Sequence, residues 1–395
     1  MVKIGRRPIN TGASSYIFNS RLVVTGVLSA VLFMAGCASV NAQFNPAKPH
    51  HTPDGFKNSY TSSATKSPAD FFRWQFQRLR DGLPKVPQTP TPTMAPQLEF
   101  IQGNSKVANM QPALTWIGHA TMLVQANGLN VLTDPIFSER ASPVQSFGPR
   151  RAHPPGLSLA QLPDIDVVLI SHNHYDHLDK NTVLALMNRA QAATLFIVPL
   201  GVKRWFDELG ITNVKELDWW ESVVVKGVEF NFTPVQHWSA RGVGDRSQTL
   251  WGGWAVFGPD THWYFSGDTG YSQDFSDTQK RFADRQTPAK GGGFDVALIP
   301  VGAYEPRWFM KEQHVNPTEA VQIHKDLQAK RSVGVHWGTF ALTDEPLDQP
   351  PQDLATAVRE QNLAQGEFTV MAIGETRRVP SRKAHEKTQQ KQPAA

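Results

Sequence analysis

The chain has 395 residues, 40% of them hydrophobic, enough for one large domain with a packed core or for two small ones. Its formal charge of +4 comes from a leader: residues 1–37 hold Lys3, Arg6, Arg7 and Arg21 and no acid, leaving 35 basic against 35 acidic residues. A formally neutral body gives no support for a nucleic-acid partner, and a single cysteine, Cys37, excludes an intrachain disulfide.

The leader is read first. Residues 22–34 form an apolar run after Arg21, punctuated by Gly26 and Ser29 and too short for a comfortable membrane span. A charged start, a short apolar core and the small residues Ala35 and Gly36 mark a secretory signal. The Met34-Ala35-Gly36-Cys37 junction resembles a bacterial lipobox, which implies lipidation of Cys37. Residue 38 is not Asp, so bacterial sorting rules point to an outer-membrane lipoprotein facing the periplasm.

Residues 38–111 read as a spacer and N-terminal extension, polar and rich in Pro, Ser and Thr up to residue 67. Within it Phe71, Phe72, Trp74, Phe76 and Leu79 fall at helical spacing. That short helix either packs on the main domain or lies on a membrane surface. Five prolines in 84–97 forbid a continuous helix or central strand there. A globular domain is expected over 112–380, and residues 381–395 form a polar, charged tail that is expected to be disordered.

Ten apolar stretches predict strands: 114–117, 122–125, 129–133, 167–171, 195–198, 228–233, 254–257, 262–266, 295–300 and 333–336. Helices are predicted over 180–190, 202–209, 317–328 and 352–361. The third has strong start chemistry: Asn316 as cap, Pro317 at the first position and Glu319 at the third. Many strands with only partial helix alternation argue for a mixed α/β architecture of two sheets.

The segment from Ser171 to His177 carries the chemistry. Three of the thirteen histidines, His172, His174 and His177, fall within six residues, with Asp176 among them, directly after an apolar strand pattern. Imidazole and carboxylate suit zinc, a strand end holds backbone position, and four ligands in so tight a loop would crowd one ion. Two neighbouring ions therefore account for the spacing better than one, the bland alternative being a solvated His-rich loop. Further ligands must come from elsewhere, and His237, Asp268 and His336 each stand just after an apolar strand pattern.

This ordered set resembles the metallo-β-lactamase superfamily, and within it the N-acyl-phosphatidylethanolamine-hydrolysing phospholipase D branch. The segments carrying the resemblance are Trp116 to Thr121, Thr133-Asp134-Pro135, His172 to His177, Gln236-His237-Trp238, Ser266 to Tyr271, Gly302 to Arg307 and His336 to Phe340. They cover about residues 112–345. The resemblance implies an αββα sandwich of two mixed sheets flanked by helices. It implies a zinc ion on His172, His174 and His237, a second on Asp176, His177 and His336, and Asp268 bridging them. Asp134 and His119 would stand behind these ligands and orient them. Asp176 and Asp268 would serve catalysis through a water shared by the two ions. Tyr175 and His314 would contact substrate, although Tyr175 could equally pack under the loop and His314 could simply cap or pack where it stands.

Trp238, Tyr304, Trp308 and Phe340 line a groove or belong to the core, and Arg307 is a phosphate clamp or an ion-pair partner. The implied activity is hydrolysis of a phospholipid-like phosphodiester in the manner of a phospholipase D. Hydrolysis of another ester, lactone or amide is an alternative, and so is a non-catalytic lipoprotein binding metal or lipid. No Gly-x-Ser-x-Gly motif offers a serine nucleophile.

Overall fold

A computed structural model describes residues 41–61, 66–107, 109–189 and 194–382. The leader with Cys37 and the tail from residue 383 lie outside the described residues.

Two seven-stranded sheets form the frame. The first runs β16 (Thr376–Arg378), β3 (Ala113–Gly118), β4 (Thr121–Ala126), β5 (Leu129–Thr133), β6 (Val167–Leu169), β7 (Leu195–Pro199) and β8 (Val214–Leu217). The second runs β15 (Phe368–Val370), β14 (Ser332–Val335), β13 (Val296–Pro300), β12 (His262–Phe265), β11 (Gly253–Phe257), β10 (Val228–Thr233) and β9 (Ser222–Val225). Each sheet is mixed. The first is antiparallel from β16 to β5 and parallel from β5 to β8. The second is antiparallel from β9 to β12 and parallel from β12 to β15.

Side-chain alternation explains the layering. On β4, Met122 and Val124 enter a core shared with Phe230, Phe232, Trp254 and Phe265 of the other sheet, so the sheets pack face to face. Leu123 points the other way, into a second core with Val183 and Leu186 of α3 (Lys180–Arg189) and Phe206 of α4 (Lys203–Asp207). On the far side, α5 (Asp274–Arg281), α7 (Pro317–Asp326) and α8 (Gln349–Glu360) bring Phe275, Val321 and Leu354 into the first core. This is the expected αββα arrangement. Asn127-Gly128, both with positive φ (56° and 77°), closes the β4–β5 hairpin as that dipeptide does in tight turns. At the start of α7, Asn316 accepts from the Glu319 amide at 2.9 Å and Glu319 accepts from the Asn316 amide at 3.1 Å, the cap expected.

The N-terminal extension needs correction. Residues 41–61, read as spacer, pack on the sandwich, and the ordered domain starts well before Pro112. The short hairpin β1 (His51–Thr52) and β2 (Gly55–Phe56) places Phe56 in the main core. Lys48, His50 and His51 converge on the buried carboxylate of Asp218 at 2.5, 2.7 and 2.9 Å. These polar residues make long-range hydrogen bonds, and composition alone cannot register such partners. The aromatic segment forms α1 (Pro68–Asp81), capped by Ser67 and ended by left-handed Gly82. Trp74 anchors it by stacking on Phe309 of α6 (Arg307–Met310), with ring centroids 4.8 Å apart. A further helix, α2 (Leu98–Asn104), buries Ile101.

Candidate metal centre

Every residue singled out around the His-rich loop sits where a strand ends. His119 occupies the tight turn after β3, with φ of 54°. The segment from Ser171 to His177 follows β6, His237 follows β10, Asp268 follows β12 and His336 follows β14 with φ of 59°. Sheets fix the strand ends, and the loops beyond them turn these side chains to one place. Gly267 lets the two sheets approach there. It has φ of 61°, and a Cβ on it would stand 2.5 Å from the Ser171 Cβ.

The structure gathers the seven expected ligands into adjoining sets. His172, His174 and His237 present donor atoms within 4.8 Å of one another. His119, Asp176, His177 and His336 form a second set with the same spread. Asp268 lies between them: its Oδ2 is 3.1 Å from the Nε2 atoms of His177 and His336, and 4.0 Å from those of His172 and His237. His119 stands closer than a purely supporting residue need do, with Nε2 2.9 Å from Asp176 Oδ2. Asp134 is fully buried and reaches His177 Nδ1 at 2.7 Å and the Ser171 amide at 2.7 Å, so that His177 Nε2 faces the cluster. His237 is held by two groups that carry no signal in the sequence. Its Nδ1 faces the Gln313 carbonyl at 2.9 Å, and its amide donates to Asn58 Oδ1 at 3.0 Å.

Electrostatics divides the histidines. Burial lowers His172 and His237 well below the usual imidazole range and takes His174 and His314 to about 4 and His119 to about 3. These rings are neutral, the form that ligates. Burial also opposes charge on His177 and His336, but Asp268 and Asp176 outweigh it. His177 is lifted well above its ordinary value and His336 to about 9. The two carboxylates respond in kind: burial pushes them up, and His177 beside them holds both well below the ordinary range.

Buried polar atoms normally find partners. Here His174 Nε2, His237 Nε2 and Asp268 Oδ1 have none among the described residues, although all three are buried in one cluster. Neutral imidazoles, charged carboxylates and orphaned donor atoms fit one or more divalent cations, with nitrogen and oxygen ligands of the kind zinc takes.

A cavity of about 510 Å³ opens onto the cluster. His174, Asp176, Asp268 and His314 lie at its floor, and Phe71, Trp74, Trp238, Phe309, Met310 and Leu342 supply apolar wall. His314 has its Nδ1 3.9 Å from Asp268 Oδ2 and without a hydrogen-bond partner among the described residues. Tyr175 lines the cavity, but its hydroxyl donates to the Arg241 carbonyl at 2.6 Å and the Arg241 guanidinium covers its ring at 4.1 Å. Arg307 is no phosphate clamp: it pairs with Glu319 at 2.6 Å and donates to the His314 carbonyl at 2.8 Å. Of the four aromatic groove candidates, Trp238 lines the cavity. Tyr304 is buried and donates to Asp353 at 2.5 Å, and Phe340 packs against His119.

The chain is similar to known proteins. Residues 129–337 match the Beta-lactamase superfamily domain. The chain belongs to the metallo-β-lactamase superfamily. Within it, the chain is 40% identical over 273 residues to an N-acyl-phosphatidylethanolamine-hydrolyzing phospholipase D of Caenorhabditis elegans, covering 66% of this chain and 74% of that one. A mitochondrial protein of the same description from Saccharomyces cerevisiae is 37% identical, over 61% of this chain and 50% of its own length. Among solved structures, an isothiocyanate hydrolase from Delia radicum gut bacteria superposes with a TM-score of 0.52 at 20% identity, over 67% of this chain and 98% of its own, a likeness of fold alone.

Proposed function

We propose that this metallo-β-lactamase-fold hydrolase is a two-zinc phosphodiesterase of phospholipase D type acting on N-acyl-phosphatidylethanolamine-like lipids. The observation that carries the reading is the convergence of seven His and Asp side chains from four separate strand ends, with orphaned donor atoms, on the floor of an apolar-walled cavity. The 40% identity to a relative of that description supports the substrate class.

In this reading His172, His174 and His237 hold one ion, Asp176, His177 and His336 the other, and Asp268 lies between. Bound there, the metals would lower the pKa of a water and offset charge on the phosphoryl oxygens. The chain's own residues do the rest. Asp134 and the Gln313 carbonyl set the directions of His177 and His237. His314, kept neutral by burial, offers a hydrogen bond to a phosphoryl oxygen. The walls of Phe71, Trp74, Trp238 and Phe309 take acyl chain and exclude bulk water. Water adds to phosphorus, the phosphorus–oxygen bond to the headgroup breaks, and the alcohol leaves with a proton.

A lipid on Cys37 tethers the protein to a membrane, the bacterial outer membrane facing the periplasm, and the exposed apolar face of α1 beside the cavity supports that placement. One incubation tests the substrate. Zinc-loaded protein is given a mixed lipid extract and the products are identified by mass. Diacyl phosphatidic acid is expected; if it never forms, the phospholipase D assignment fails while a different hydrolase activity survives. Metal analysis of the purified protein is expected to return two zinc ions per chain.

A further inference from the structure

The cavity wall contains a cation with no counter-ion among the described residues. Arg246 is half-buried, its guanidinium carbon 3.9 Å from the centre of the Trp238 ring. It lines the same cavity as His174, Asp176, Asp268 and His314. Three other arginines close to this region have acceptors. Arg241 donates to the carbonyls of Asn173 and Leu178, both at 2.8 Å, Arg307 is bound to Glu319, and Arg78 reaches Asp344 at 3.1 Å. Arg246 has no hydrogen bond or ion pair among the described residues. Its neighbour Asp245 does not serve it, because the Asp245 carboxylate accepts from the amides of Arg241 and Gly242 at 2.9–3.0 Å. Burial alone draws its pKa down, with no carboxylate opposing. The cavity's other cation, Lys66, gives its amine to the Trp308 carbonyl at 3.1 Å.

Withdrawing a guanidinium from water without an acceptor is unfavourable, and a ligand that brings one recovers that cost. Lying over an indole, the group keeps its N–H fork free, and such a fork receives a carboxylate through two parallel bonds. The position is also set. The Trp238 ring lies against His174, centroids 4.4 Å apart, so Arg246 stands one aromatic layer away from the proposed metal floor. The single charge of a phosphodiester faces that floor, and Arg246 faces what is attached to it.

We propose that Arg246 is a specificity-determining residue that receives a second anionic group, a carboxylate carried on the departing headgroup, so that phosphodiesters with a serine-type headgroup are preferred to those with an ethanolamine-type one. The inference rests on the phosphodiesterase reading. Zinc-loaded wild type, Arg246→Gln and Arg246→Lys are compared on N-acyl-phosphatidylserine and N-acyl-phosphatidylethanolamine in nonionic detergent micelles, following phosphatidic acid. Wild type favours the serine lipid by about tenfold in kcat/KM, the scale of one charge-assisted pair. Arg246→Gln removes the preference and changes the ethanolamine lipid less than twofold, and Arg246→Lys keeps part of it.

Equal losses on both lipids, or no preference in wild type, overturn the inference and leave the phosphodiesterase reading standing. A third arm adds phosphatidylglycerol to the ethanolamine micelles. An Arg246-dependent gain there assigns the residue to neighbouring anionic lipid and also overturns the inference. If neither lipid yields phosphatidic acid, the phosphodiesterase reading fails. Calorimetric titration with N-acylserine against N-acylethanolamine then decides on Arg246 separately: equal binding by wild type, or binding unchanged in Arg246→Gln, sinks it.

Discussion

Asp134 shows how one buried carboxylate sets the direction of a ligand. It accepts from Ser171 and faces His177 Nδ1, which turns His177 Nε2 toward Asp268 and Asp176. Asn in its place keeps the shape and loses the charge that fixes the ring. Asp134→Asn is expected to weaken zinc binding by about 10–100-fold, as loss of such outer partners does, measured by competition with a chromophoric chelator. Wild-type affinity in the variant would remove the orienting role. The His-x-His-x-Asp-His spacing was visible in the sequence because four ligands lie in one loop. Asn58 and Gln313 were not visible, since they act on His237 from 179 and 76 residues away and one of them uses only its carbonyl.

At the scale of elements, α1 divides its surface. Trp74 points inward to Phe309 and donates to Asp344 at 3.0 Å, while Phe72, Phe76 and Leu79 are 69, 66 and 83% exposed. Those three fall at i, i+4 and i+7 and share one face, flanked by Arg73 and Arg80. An exposed apolar ridge with basic neighbours suits a lipid surface. The triple change to Ser, made in a Cys37→Ser background, is expected to lower binding to phosphatidylethanolamine–phosphatidylglycerol vesicles at least tenfold in a flotation assay. Turnover of soluble bis(p-nitrophenyl) phosphate should stay within twofold, because these residues do not line the cavity; unchanged flotation would refute the lipid-surface role. The same scale shows which strands are legible in sequence. All ten predicted strands are interior to the two seven-stranded sheets; the four strands of those sheets that escaped, β8, β9, β15 and β16, are their edges, and the hairpin β1–β2 escaped as well. Edge strands are short and bury less: β9 is at best half-buried throughout, whereas β11 and β13 are buried at every position.

Two expectations concern the molecule as a whole. The first is metal linkage. Ligands that bind only the folded state add stability by mass action, about 2.7 kcal/mol at a hundredfold excess over Kd. Chelation is therefore expected to lower the melting temperature by several degrees, and added zinc to restore it, in a thermal-shift measurement. No shift would count against a metal site. The second is acid sensitivity. Burial alone would lift the Asp218 carboxyl, but His50 and Lys48 hold it well below the ordinary range. A carboxylate depressed in the folded state adds stability that is fully present above its unfolded value, near 4, and is lost as pH falls toward the folded value. Asp218→Asn should cost about 1.5–3 kcal/mol for each charge-assisted bond removed near neutral pH, and this difference from wild type should shrink below pH 4. Urea melts at pH 7 and pH 3.5 measure both, and a constant difference would rule out the linkage.

The sequence by itself determined the two-sheet class, the interior strands and the ligand loop, because periodic apolar runs and closely spaced ligands are local patterns. Tertiary structure alone decided that residues 41–61 close over the sandwich, that Arg307 is occupied by Glu319, and that Arg246 faces the cavity without an anion among the described residues. Those outcomes depend on which polar groups meet across long stretches of chain. Charge and hydrogen-bonding capacity can be read from a residue's identity, but its partner is set only when the fold brings the two together.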